Sequence, residues 1–232
     1  MDDRKGNAVK REKYQELKSY MQECMSDAAH DKEHVWRVLG YALRLAAELK
    51  EPVDHDLLIA ACLLHDIGRA AQFRDPSLDH AAVGADMAAG WLSDHGYSPG
   101  FCQAVRSAIR SHRYRTGGRA ESIEAQLLFD ADKLDVCGIM GLLRTVSYCD
   151  HVGEPYYTVG ENGLVEFTAD SEASVVQEYC YKLRQVKERL YTDGAKRLAE
   201  ELSHQLDTAV NAVVQQANFA RTGLAELESR LL

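Results

Sequence analysis

Apolar residues recur along most of this chain at three- and four-residue spacing, the period of an amphipathic helix, and strict alternation is rare. Residues 13–28 carry the first such pattern. From Asp31, a suitable N-cap, a second runs to about Lys50 with Val35, Val38, Leu39, Ala42, Leu45, Ala46 and Leu49 on one face. Asp54 or Asp56 can cap a third, predicted to end at Gly68, because glycine is favoured just past a helix C-terminus. Further helices are predicted over about 80–94, 100–112, 121–135, 137–149 and 171–192, and from 194 onward. Residues 150–171 break the pattern, and YYTVGENGLVEF within them reads as two short strands around a turn. The expectation is one all-α domain over residues 1–232: a core at about 20–150, an irregular or β-hairpin excursion near 155–168, and C-terminal helices over 171–232. The last pattern sets Leu198, Leu202, Leu206, Val210 and Val213 at helical spacing, a face that suits core packing more than a dimer seam. Monomer and homodimer both stay open.

Composition narrows the partners. With 46% hydrophobic and 27% charged residues the chain has a globular balance, not a disordered one. Its 27 basic residues face 36 acidic ones, net −9, which argues against nucleic-acid polymers and anionic membranes. A small anionic substrate needs only a local basic patch or a metal. The six cysteines, at 24, 62, 102, 137, 149 and 180, form no C-x-x-C pair and read as free thiols of a reducing compartment. The first twenty residues are charged, and the longest apolar run, Leu57 to Leu64, is far short of the ~20 residues that span a bilayer. A cytoplasmic protein with no membrane partner is expected.

The candidate chemistry sits on the apolar stripes. The chain has no P-loop, G-x-G-x-x-G, G-x-S-x-G or H-E-x-x-H. Four of its nine histidines nevertheless fall at inward helical positions. His34 precedes Val38, Ala42 and Leu45; His65 follows Leu58 and Ala61; His80 precedes Val83, Met87 and Trp91; His112 follows Phe101, Val105, Ala108 and Ile109. Asp66 adjoins His65, and Asp132 lies among Ala125, Leu128, Phe129, Val136 and Ile139. A carboxylate inside an apolar core is costly unless it is paired or binds a metal. Several helices each turning a His or Asp inward is the pattern of a metal site. Between Phe101 and Ala120 there is no acid but there are five arginines, at 106, 110, 113, 115 and 119. This island is either a solvated face paired with acids elsewhere or a phosphate-binding rim.

These residues resemble the HD-domain metal-dependent phosphohydrolases. HVWRV around His34, LLHDIGR around His65 and Asp66, and DADKLD around Asp132 reproduce the family's H…HD…D order. AIRSH, DADKLDVCGIMGLLRTV and YCYKLRQVKERL extend the likeness over residues 20–215, to a small single-domain bacterial branch of nucleotide phosphohydrolases and pyrophosphohydrolases. The resemblance implies a helical-bundle fold and four metal ligands: His34, His65, Asp66 and Asp132. His80 and His112 stand where dinuclear relatives place two more, so one ion is implied and two are open. Where some relatives carry further acids just after the HD pair, this chain has Gly68 and Arg69.

The implied activity is metal-assisted hydrolysis of a small phosphorylated substrate, with a nucleotide as the first choice. The ion would be divalent: manganese, iron, zinc, cobalt, nickel or magnesium. Lys133 and Arg144 would steady the leaving phosphate, Arg69 and Arg113 more distal phosphates, and Asp135 would orient a ligand or relay a proton. Two other classes stay open: a di-iron HD-domain oxygenase, and a nucleotide-binding module without turnover. Iron content with oxygen uptake marks the first, and binding without product marks the second.

Overall fold

The computed structural model describes residues 3–25, 32–113 and 118–231. The expected cap Asp31, and Arg115 of the arginine island, lie outside the described residues. The described residues form eleven α-helices, one 3-10 helix and no strand. In chain order the α-helices are α1 (Asp3–Cys24), α2 (Lys32–Glu48), α3 (His55–Leu64), α4 (Arg69–Arg74), α5 (His80–Asp94), α6 (Pro99–Ser111), α7 (Ile123–Cys137), α8 (Ile139–Val152), α9 (Val175–Tyr181), α10 (Asp193–Asn218) and α11 (Ala220–Leu231). The 3-10 helix is Leu183–Arg189. The all-α expectation holds. No described helix is long and apolar enough to cross a membrane. The chain divides into two compact units, one ending at Asp132 and the other beginning at Lys133.

In the first unit α3 is the central element. Leu57, Leu58 and every residue from Ala60 to Leu64 are buried, and the helix packs against α1, α2, α5 and α6. Of the two candidate caps it is Asp54 that serves: its Oδ1 accepts from the Leu57 amide at 3.0 Å. The Asp54 amide in turn donates to Glu124 Oε1 at 2.9 Å, fixing the helix entry from α7.

The helix ends at Leu64, short of Gly68, and residues 65–68 form a run of turns. Gly68 sits at φ −79°, so it supplies no left-handed cap. Its value is closeness: a Cβ there would lie 2.2 Å from the His80 carbonyl oxygen and 2.6 Å from the Gly84 amide nitrogen. The same close approach explains the buried face of α5. It is Ala81, Gly84, Ala85, Ala88 and Leu92, not the Val83, Met87 and Trp91 stripe expected. Small side chains let neighbouring backbones meet, and the bulkier residues are left at the margin.

In the second unit Tyr179, Cys180, Leu183, Leu206 and Val210 form the core, with Leu142 and Val214 packed against them. The predicted helix over 171–192 is broken at Lys182, where φ −128° and ψ −57° leave helical space. The long final helix is likewise interrupted at Phe219, between α10 and α11. Residues 155–168 take the irregular form: one isolated antiparallel bridge joins Val159 and Val165 around a turn with Gly163 at φ +73°. The pairing stops at this one bridge, and the Val165 amide donates instead to Asn218 Oδ1 of α10 at 2.7 Å.

Candidate metal centre

Six side chains of the first unit meet at buried positions. α2 supplies His34, the turns after α3 supply His65 and Asp66, and α5 begins with His80. His112 follows α6, and α7 supplies Asp132. Asp66 is the hub. Its Oδ2 lies 3.6 Å from both His34 Nε2 and His65 Nε2. Its Oδ1 lies 3.6 Å from His80 Nε2 and 3.7 Å from His112 Nε2. Two triads therefore share one carboxylate, His34–His65–Asp66 and Asp66–His80–His112, each compact enough to hold a metal ion. Asp132 joins the first through His34, its Oδ1 3.2 Å from Nε2.

The opposite ring nitrogens face acceptors. His65 Nδ1 lies 2.8 Å from the Cys62 carbonyl and His112 Nδ1 2.5 Å from the Ile109 carbonyl. A carbonyl only accepts, so both rings carry a proton on Nδ1 and turn Nε2 toward Asp66. His80 Nδ1 faces the Gln72 side chain, Oε1 at 2.8 Å. Burial pushes His65 down to about 4 and His80 down to about 3, against the pull of Asp66, so both rings are neutral near pH 7. Burial would raise Asp66, yet the Arg69 guanidinium beside it holds its carboxyl well below the usual range. Arg69 Nε donates to Asp66 Oδ2 at 3.0 Å, while Asp66 Oδ1 is buried with no hydrogen-bond partner.

Neutral imidazole lone pairs facing an ionised carboxylate leave acceptors opposite acceptors, and a divalent cation satisfies them all. The donor set, imidazole nitrogen with carboxylate oxygen, is that of divalent transition metals.

The remaining expected residues are placed differently. Arg113 pairs with Asp79 Oδ2 at 2.6 Å, and Arg106 with Asp86 Oδ1 at 2.7 Å. Two of the island's arginines thus serve as ion-pair partners. In the second unit Lys133 is buried, and Arg144 Nη1 donates to the buried Asp135 Oδ2 at 3.2 Å. Gln72 and Arg69 were not linked by any periodicity, because the one-and-a-half turns of α4 are too short to show one. As i and i+3 on that helix they share a face, and both reach the cluster. Asp130, fully buried on α7, also escaped the sequence reading.

Comparison with known proteins agrees with this geometry. Residues 32–137 match the HD domain, and the helical His/Asp centre lies within that stretch. Over 193 residues it is 25% identical to the uncharacterized protein YpgQ of Bacillus subtilis (strain 168), covering 81% of this chain and 85% of that protein. The crystal structure of Bacillus subtilis YpgQ in complex with ADP shares the fold at TM-score 0.69 and 21% identity, covering 89% of this chain and 96% of the other. A predicted HD superfamily hydrolase from an uncultured Thermotogales bacterium is 28% identical at TM-score 0.58, covering 87% of this chain and 91% of the other. The fold is that of the HD-superfamily hydrolases, and it carries a cluster able to hold a divalent metal.

Proposed function

We propose that this protein is a divalent-metal-dependent phosphohydrolase acting on a nucleotide. The observation that carries the reading is the convergence of the His80 and His112 Nε2 atoms on a buried Asp66 oxygen that has no hydrogen-bond partner. His34, His65, Asp66 and Asp132 would hold one ion, and Asp66, His80 and His112 a second. A divalent ion held there would bring the pKa of bound water toward ~7 and would offset charge on phosphoryl oxygens.

The chain's own residues do the rest. Asp66 stays ionised and is shared by both halves of the centre. Arg69, fixed to Asp66 through Nε and a third exposed, presents the rest of its guanidinium fork to phosphate oxygens. Arg113, next in sequence to His112, offers further positive charge for distal phosphates. Lys133, Arg144 and Asp135 keep the lesser roles that the family resemblance suggests, in steadying the leaving phosphate and relaying a proton. The nucleotide as substrate draws support from the ADP complex of YpgQ. A cytoplasmic setting fits the six free cysteines.

Product analysis tests the reading. Purified protein is incubated with Mn²⁺ and a panel of nucleotides, orthophosphate is resolved from pyrophosphate, and Asp66→Ala is the control. Pyrophosphate lost in the control means attack at the α-phosphorus of a triphosphate. Orthophosphate means a phosphomonoesterase or terminal phosphatase. Neither product from any nucleotide, with iron bound and oxygen consumed, overturns the proposal in favour of an oxygenase.

A further inference from the structure

The histidines of the centre are held by different means. His65 and His112 are oriented by carbonyls of their own chain three residues back, Cys62 and Ile109. Such contacts come with the backbone and need no particular side chain. His80 has no such carbonyl. It opens α5, and its Nδ1 meets the side-chain amide of Gln72, eight residues earlier on α4.

The amide itself is oriented from behind. Gln72 Nε2 donates to the Leu78 carbonyl at 3.0 Å. A carbonyl accepts only, so it must face the NH₂ end of the amide, and Oε1 must face His80. An amide oxygen also accepts only, so Nδ1 of His80 must carry a proton. Nε2 is then the nitrogen left to bind a cation, 3.6 Å from Asp66 Oδ1. The Leu78 carbonyl is itself held in place: the Leu78 amide donates to the Asp75 carbonyl at 3.0 Å, and Asp75 Oδ1 accepts from the Ser77 amide and hydroxyl at 3.0 and 2.7 Å. A chain of single-direction hydrogen bonds thus runs from the 75–79 turn through Gln72 to one ring nitrogen.

We propose that Gln72 is a positioning residue that fixes the metal-binding tautomer of His80 and thereby sets the affinity of the Asp66–His80–His112 half of the centre. This rests on the reading of the cluster as a divalent-metal centre. Without an acceptor at position 72 the His80 ring is free to protonate Nε2 and turn a donor toward Asp66, closing that position to a cation. Partners that stand behind metal-ligating histidines typically govern affinity by about 10–100-fold.

The test uses the full-length protein, with Gln72→Leu removing the acceptor and Gln72→Glu retaining one. Nitrogen-15 NMR of the histidine rings is recorded without metal, and Mn²⁺ is titrated calorimetrically. The wild type and Gln72→Glu are expected to show His80 with a bare Nε2, whereas Gln72→Leu shows the proton on Nε2 or exchanging between nitrogens. Gln72→Leu is expected to weaken an Mn²⁺ ion by 10-fold or more, and Gln72→Glu to keep it. An unchanged His80 tautomer in Gln72→Leu, or Mn²⁺ bound by Gln72→Leu as by wild type, overturns the proposal alone. A wild type that binds no Mn²⁺, with no ion held from purification, overturns the metal reading and this inference with it. The NMR arm separates the two failures, because it reads the tautomer with no metal present.

Discussion

In the first unit His34, His65, Asp66, His80, His112 and Asp132 are all buried and turn their polar atoms toward one another. In the second unit three polar contacts are matched donor to acceptor. Arg144 donates to Asp135 at 3.2 Å, the Tyr179 hydroxyl to Asp207 at 2.7 Å, and Thr145 to the Gly141 carbonyl at 2.9 Å. Among the described residues the second unit's orphan is the Thr158 hydroxyl, a neutral group whose unsatisfied burial costs about 1–3 kcal/mol. Among the described residues the first unit's orphan is an oxygen of a charged carboxylate with the Nε2 atoms of His80 and His112 before it. The buried Asp135 of the second unit is met by Arg144, whereas the Asp66 of the first meets Arg69 at Oδ2 alone and leaves Oδ1 without a partner.

The largest effect expected is at the shared hub. Asp66→Ala removes an oxygen from both triads, so metal affinity should fall by more than the roughly 10–100-fold that loss of a partner behind a ligand costs. Metal content and turnover, measured together, should both be lost. A variant that keeps its metal and its activity would break the comparison at its centre. Next comes the apolar core of the second unit. Leu206→Ala should cost about 2–5 kcal/mol in denaturant unfolding, as large-to-small changes in packed cores do, and leave Mn²⁺ affinity unchanged. A smaller effect sharpens the contrast from the other side. Mn²⁺ at 100 times its dissociation constant should stabilise the folded state by about 2.7 kcal/mol, removable with chelator. Amide exchange should slow in α3, α5 and α6 and stay unchanged in α9 and α10. Equal protection of both sets would show that the metal does not act through the first unit's cluster.

Much of the centre could be read from the chain because its ligands lie at helix positions with a fixed period. His34 shares a face with Val35, Val38 and Ala42, all buried, and the HD pair follows the most apolar helix in the molecule. Periodicity fails where backbones touch. The α5 stripe through Val83, Met87 and Trp91 is the bulkier and reads as the core, but the Gly68–Gly84 contact turns the small-residue face inward. It fails again where structure is too short to repeat, as at α4, which delivers both Arg69 and Gln72. The arginine island was equally legible as paired or phosphate-binding. Arg106 and Arg113 have acids opposite them that lie 20 and 34 residues away in the chain, separations at which no local pattern reports.

The smallest effect expected belongs to a hydrogen bond of the second unit. The Tyr179 ring is buried and its hydroxyl donates to Asp207, which is only half-buried. Burial first, and Asp207 next, push the Tyr179 hydroxyl above its usual range, so it stays protonated and donating throughout neutral pH. Tyr179→Phe keeps the ring, its stacking with Phe167 at 5.7 Å, and its packing, and removes only the donor. Because water can reach Asp207 in the variant, the loss should stay near 1.5 kcal/mol, at the low end for a bond to a charged group. The Mn²⁺-dependent stabilisation should be identical in variant and wild type. A loss as large as that of Leu206→Ala would show Asp207 stranded without solvent. The second unit would then depend on a buried charge much as the first does, and the contrast between them would narrow to the presence of a metal.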